Sequence, residues 1–238
     1  MNKLKLLFAA TGLLLLAPAS SYAVPTLQLY SENSFYNTST ESWFTFENPF
    51  TLQVLGADQP NDTTYIGDVQ LHFAVPDEYW TTAGSITIEG EGIGPLTINS
   101  SDFVYGIPEN LTNANNYKAK GHGIYEAHYY TIDLPNLLVS TAGETVYNYV
   151  DLIDGIPFAS IGHDTGDIQS YEVAYSEFFL IHADLTGTAY YSDGDYKKKF
   201  APFSHDADAP IPEPSTFILL GLGITSLALG SRRLGKRK

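Results

Sequence analysis

Cysteine is absent from all 238 residues, which excludes a disulfide framework, thiolate metal ligation and thiol catalysis together. Cations are scarce in the middle of the chain. Of the 12 lysines and arginines, two precede residue 24 and five follow residue 230, while 26 of the 27 acidic residues lie between 24 and 209. That central stretch holds five lysines against 26 acids, a formal charge of −21, harsher than the −15 of the whole chain. Such a field repels nucleic acid and anionic membrane surfaces. It keeps an exported chain dispersed, and it is compatible with divalent cations. Long apolar runs are missing as well. The two that exist, Leu6–Leu16 and Phe217–Leu229, fall short of the roughly 20 residues of a membrane span. Neither a Gly-x-Ser-x-Gly elbow nor a His-Glu-x-x-His helix motif occurs, so two common hydrolytic centres have no sequence footing. A paired-carboxylate glycosidase leaves no spacing to read, and nothing here singles out a pair.

What is present begins at the two ends. Lys3 and Lys5 precede the first apolar run, and Ser21-Tyr22-Ala23 follows it. Basic start, apolar centre and small residues before a cut make a secretory signal peptide, cleaved after Ala23. A buried helix or membrane anchor is the competing reading, opposed by the run's length and by Pro18.

At the other end Pro212-Glu213-Pro214-Ser215-Thr216 leads into the second apolar run, and Arg232, Arg233, Lys236, Arg237 and Lys238 close it. The cations act as a stop-transfer cluster that favours the cytoplasmic side, leaving residues 24–209 outside. Phe217–Gly230 spans 14 residues, about 21 Å as a helix against a hydrocarbon core of about 30 Å. Snorkelling basic side chains cover part of the mismatch, and Glu213 belongs at the outer interface because a carboxylate in lipid is costly. Such a marginal anchor suits a segment inserted transiently and then cut. The Pro-Glu-Pro tripeptide, the run containing Leu220-Gly221-Leu222-Gly223 and the basic tail together resemble the PEP-CTERM sorting signal. The resemblance implies an exosortase, a membrane-embedded transpeptidase-like enzyme of bacteria that make exopolysaccharide, as processing partner. An ordinary tail anchor is the plainer alternative.

Between these ends, residues 24–209 suit one domain with ample core. Val69, Leu71, Phe73 and Val75 alternate with Gln70, His72 and Ala74, and Leu52 and Val54 alternate with Thr51 and Gln53 ahead of turn signals from Gly56 to Asp62. Ile86 and Ile88, then Glu91-Gly92, then Leu96-Thr97-Ile98 read as a hairpin. Phe179, Ile181, Ala183 and Leu185 share one face, with Leu180, His182 and Asp184 on the other; Thr186–Ser192 follows as a strand closed by Asp193-Gly194. No stretch keeps helical periodicity. The pattern predicts an all-β fold, an antiparallel sandwich that admits a jelly roll, ahead of a barrel. Glu109–His128 reads as a long polar loop, and Lys197–Ala209 as a last ordered segment plus a tether.

Pro25-Thr26-Leu27-Gln28-Leu29-Tyr30, Tyr36-Asn37-Thr38 with Glu41-Ser42-Trp43, Gly121-His122-Gly123-Ile124-Tyr125 and Phe200–Asp206 are similar to the family called choice-of-anchor N. That resemblance implies a bacterial surface protein whose homologues carry alternative anchors, and it brings no activity or catalytic residues.

Six histidines invite a metal reading. His122 and His128 lack helical zinc spacing. His163-Asp164 with Asp167, His205-Asp206 with Asp208, and His182 with Asp184 place nitrogen and oxygen ligands together. Solvated loop and strand-face polars are the plainer reading of each. Asp193-Gly194-Asp195 is the nearest calcium candidate, yet Asp-Gly is first a hairpin signal. No cofactor is therefore assigned beyond a weak calcium option. Trp43, Tyr79 and Trp80 are candidate sugar-stacking residues, against the alternative of core packing. The expected role is a non-enzymatic surface or matrix protein associated with exopolysaccharide or biofilm, with a lectin-like carbohydrate-binding module as the rival.

Overall fold

In the computed structural model the described residues are 24–37, 42–58, 62–108, 111, 126–149, 161–201 and 206–210. The expected signal peptide ending at Ala23, the candidate histidines His122 and His205, the Pro212-Glu213-Pro214 motif and the apolar and basic segments after it lie outside them. Among the described residues no helix is long and apolar enough to cross a membrane.

The strands are β1 (Leu27–Ser31), β2 (Phe35–Asn37), β3 (Ser42–Phe44), β4 (Phe50–Ala57), β5 (Thr63–Pro76), β6 (Ser85–Gly90), β7 (Ile93–Asn99), β8 (Val104–Tyr105), β9 (Ala127–Asp133), β10 (Glu144–Tyr147), β11 (His163–Ser176), β12 (Leu180–Tyr191), β13 (Tyr196–Phe200) and β14 (Asp206–Pro210). Single turns of 3-10 helix at Asp77–Tyr79 and Ser100–Asp102 complete the named elements. A six-stranded sheet runs β1-β4-β11-β6-β7, with β10 also on β11. An eight-stranded sheet runs β2-β3-β14-β12-β5-β9-β8, with β13 also on β12. Every pairing between strands is antiparallel except β3 with β14.

The two sheets stack because their alternating residues supply two apolar faces. Leu29, Leu52, Val54, Ile88, Tyr171 and Val173 come from one sheet, and Val69, Leu71, Phe73, Val75, Ile181 and Leu185 from the other, in one core cluster. The predicted alternations of β4, β5 and the β6–β7 hairpin are all present, and the fold is the expected antiparallel β-sandwich.

Three local expectations need correction. Gly56 is not a turn residue: it sits inside β4 opposite Leu27 and Asp167. A Cβ there would lie 2.9 Å from Val139 Cγ1 and 3.0 Å from Ile66 and Leu137, so the glycine serves close packing. Phe179 is exposed, while Phe178 is fully buried in the core. Glu177 has φ 61°, and this left-handed step before β12 takes Phe178 instead of Phe179 inward, while Ile181, Ala183 and Leu185 keep the shared face expected of them. Thr186–Ser192 is no separate strand but the second half of β12, which is buried from Ile181 to Ala189 on both faces.

The tether expectation also changes, because β14 pairs with β12 on one side and β3 on the other. A chain ended at Ser204 leaves both of those edges open. It is expected to melt at lower temperature, and to aggregate more, than a chain ended at Pro210; calorimetry and light scattering on the two compare them.

Candidate functional site

Strand alternation gives the eight-stranded sheet a second face, turned away from the core. On β12 that face carries His182, Asp184, Thr186, Thr188 and Tyr190, since Ile181, Ala183 and Leu185 point into the core. On β5 it carries Tyr65, Gln70 and His72. The two strands change register between Thr186 and Thr188, where Gln70 and then Gly67 are the partners. The extra residue falls at Asp68, with φ 49°, a left-handed step that Asp tolerates better than most side chains. The bulge turns the Asp68 carboxylate outward and keeps both Ile66 and Val69 in the core.

One half of this face is sealed. Ala74, Leu111, Ala127 and Tyr129 form a small apolar cluster with Ile107 and Phe200 against it. Beside it His72 is fully buried, its Nδ1 2.9 Å from Thr131 Oγ1 and its Nε2 2.9 Å from Thr186 Oγ1. Burial pushes its pKa down to about 4, against the opposing pull of Asp184 and Asp133. The neutral ring donates through one nitrogen and accepts through the other, so both are satisfied without charge. His182 Nε2 lies 3.3 Å from Asp184 Oδ1, with both groups buried. Burial also raises the Tyr129 hydroxyl pKa, and the Asp184 carboxylate adds to the rise.

These shifts set a pH dependence. The unfolded chain protonates histidine near pH 6.5, whereas folded His72 resists a proton until about pH 4. The unfolded state therefore binds more protons within that window, and stability is full above it and lost as pH falls through it. The loss approaches roughly 3 kcal/mol for this single group. Thermal melts at pH 7.5 and 4.5 are expected to fall more steeply for the wild type than for His72→Gln. Equal slopes would contradict the assignment.

The other half of the face is open. A cleft of about 280 Å³ lies between Asp68 and Gln70 on one side and Lys198 and Phe200 on the other, with Thr186 and Thr188 beneath. At its end Tyr65, Tyr190 and Tyr196 sit in register on three adjacent strands. Tyr65 and Tyr190 stack at 4.5 Å and 8°, and Tyr196 follows 6.1 Å from Tyr190. Gly67 makes room for this arrangement, since a Cβ there would meet a ring carbon of each of the first two tyrosines at 3.1 Å.

Of the residues singled out by sequence, few come together. Trp43 is buried, edge-on to Tyr30 at 5.1 Å and to Tyr36 at 5.3 Å, so it offers no face to a sugar. Trp80 packs against the core through Phe103 and Phe178 and stacks on His128 at 3.7 Å. Tyr79 alone of the three is exposed. Asp193-Gly194-Asp195 closes the β12–β13 hairpin, with Gly194 N–H donating to Tyr191 and Asp195 N–H to the Asp193 carboxylate. His163 is exposed and edge-on to Tyr147, and Asp167 accepts from the Leu138 N–H at 2.6 Å. Among the described residues no group of three or more histidines and carboxylates is placed to hold a metal ion. The tyrosine row, Thr188 and Lys198 escaped sequence reading. Their signal was the alternation Tyr196-Lys-Lys-Lys-Phe200 and the Gly67-Asp68 step inside a strand.

Comparison with known proteins sharpens the C-terminal end. A family model described as the PEP-CTERM protein-sorting motif matches residues 210–237. The choice-of-anchor N resemblance of the body gains no support from it. No curated protein matches the chain. Among solved structures, AvmM, which catalyses macrocyclization in alchivemycin A biosynthesis, overlaps with a TM-score of 0.35 at 7% identity, covering 80% of this chain and 91% of that one. The Iho670 flagellar-like filament overlaps with a TM-score of 0.15 at 11% identity, covering 84% and 96%. Neither likeness is close enough to transfer an activity. What the comparisons establish is the sorting address: the chain carries a PEP-CTERM protein-sorting motif at residues 210–237, the mark of an exported protein directed to an exosortase at the cell surface.

Proposed function

We propose that residues 24–209 form a non-enzymatic surface domain that contributes structurally or adhesively to an exopolysaccharide or biofilm matrix. In this reading the signal peptide is removed after Ala23. Residues 217–229 insert briefly in the membrane behind the stop-transfer cations, and an exosortase cuts near Pro212-Glu213-Pro214. The observation that carries it is the meeting of fold and address at one residue, because Pro210 ends β14 and also begins the sorting match. A cut beyond it spares every strand of the sandwich among the described residues. Glu213 lies three positions beyond Pro210, a reach of at most about 11 Å, so the folded domain stands at the membrane surface while it is processed.

The non-enzymatic part is supported by the polar core of the eight-stranded sheet. His72 is sealed between two threonine hydroxyls, and His182 is buried with Asp184, placements that serve packing rather than proton transfer to a substrate. A strain lacking the chain, with its exosortase intact, tests the role. It is expected to retain less extracellular polysaccharide in its cell aggregates, with recovery on expression of the wild-type chain. Unchanged polysaccharide retention would sink the matrix role.

A further inference from the structure

The open half of the outer face has a chemistry of its own. Lys197 and Lys199 turn toward the six-stranded sheet, and the Lys199 ammonium donates to Thr26 Oγ1 at 3.1 Å. Lys198 turns the other way, beside Thr188 in the strand register, and pairs with no described residue. A lysine-rich edge strand is commonly a guard against edge-to-edge aggregation, and Lys197 and Lys199 fit that role. Lys198 shares that edge strand, and its side chain also lines the cleft beside Thr188. Among the described residues the Asp68 carboxylate accepts only the Tyr190 hydroxyl, at 3.3 Å, which leaves most of its acceptor capacity unspent. Gln70 is held in place by a 2.8 Å bond to the Asp133 carboxylate.

An ammonium, a carboxylate, a hydroxyl and an oriented amide thus converge beside a row of three tyrosine rings. Donors and acceptors of both kinds suit a ligand dense in hydroxyl groups. Phe200, which lines the cleft, suits a ligand that also has a C–H face, and a concave site with few convergent polar groups suits one small ring at a time. The charge balance narrows the choice further. One ammonium lines the cleft with Asp68, within a stretch of formal charge −21, so a polyanion would be repelled beyond its first residue. We infer that this cleft binds a neutral pyranose segment of an extracellular polysaccharide, with Phe200 against the C–H face of a sugar ring and Lys198, Thr188 and Asp68 on its hydroxyls. The inference deepens the matrix reading above and rests on it for the source of the sugar.

The test uses the mature protein recovered from its own cells, run through affinity gels containing a neutral β-glucan, a neutral mannan or alginate. Retardation is expected in at least one neutral gel and to weaken several-fold or more in Asp68→Asn, since asparagine also tolerates the left-handed backbone there. Lys198→Ala, at an exposed position where misfolding is no concern, should weaken it several-fold, and Glu172→Ala on the other sheet should not change it. Melting curves of all variants accompany the gels. Three outcomes overturn the inference: no retardation in either neutral gel, retardation by alginate alone, or equal retardation of wild type and Lys198→Ala. If one of these appears while the deletion strain still loses its polysaccharide, the cleft assignment falls and the matrix role stands. If the cleft binds glucan but the deletion strain is unaltered, the matrix role falls instead.

Discussion

Replacing Glu213 with Ala is expected to leave export intact and to accumulate uncut precursor in the membrane fraction. In the proposed reading export depends on the N-terminal signal, which the substitution does not touch. The carboxylate is the one charged group between Pro212 and the basic tail, so an enzyme that reads this tripeptide has little else polar to hold. Loss of charge-assisted hydrogen bonds to such a group costs roughly 1.5–3 kcal/mol, about ten- to a hundredfold in processing rate. Glu213→Asp keeps the charge on a shorter stem and should fall between. Pulse labelling with detection of precursor and mature forms in membrane and released fractions reads the ratio. Normal release of Glu213→Ala would remove the motif's role.

The largest effect on stability is expected at Phe73. Its strand, β5, lies between β12 and β9, and its ring is fully buried in the core between the sheets. No neighbour can collapse into the space without breaking a ladder, because Ala183 and Tyr130 flank it in register. Truncation to Ala removes the ring's burial and leaves a cavity, at a cost of about 3–5 kcal/mol. For a domain of this size each kcal/mol lowers Tm by about 2–4 °C, so a fall on the order of 10 °C is expected. Glu172→Ala, exposed on β11, should stay within about 0.5 kcal/mol of wild type. A Phe73→Ala melt indistinguishable from that control would contradict the packing described.

How much of this was legible beforehand follows from which interactions are local. The alternation of β5, β6 and β7 is written within short stretches, so period two exposes both strand and core face. The phase of β12 was half legible. Its interior alternation is in the sequence, but the left-handed step at Glu177 that carries Phe178 inward depends on the turn's conformation. Gly56 looked like a turn because glycine commonly marks one, yet its reason is the crowding of Val139, Ile66 and Leu137, all distant in sequence. The two tryptophans were candidates for solvent because nothing local says which side chains will cover them. The cleft was least legible of all: Tyr65, Tyr190 and Tyr196 meet only through the register of three strands, and a bulge fixes that register. The sorting motif was fully legible, because it is a linear pattern of neighbouring residues, matched at 210–237.

The central claim is that this sandwich is exported and then released from its C-terminal segment at the Pro-Glu-Pro step. Intact-mass measurement of the protein recovered from its own cells tests it most directly. The account predicts a species that begins at Val24, ends close to Pro212-Glu213-Pro214 and lacks Phe217–Lys238, with any added mass reporting a group joined at the new C-terminus. A surface species that retains Arg232–Lys238 would contradict it.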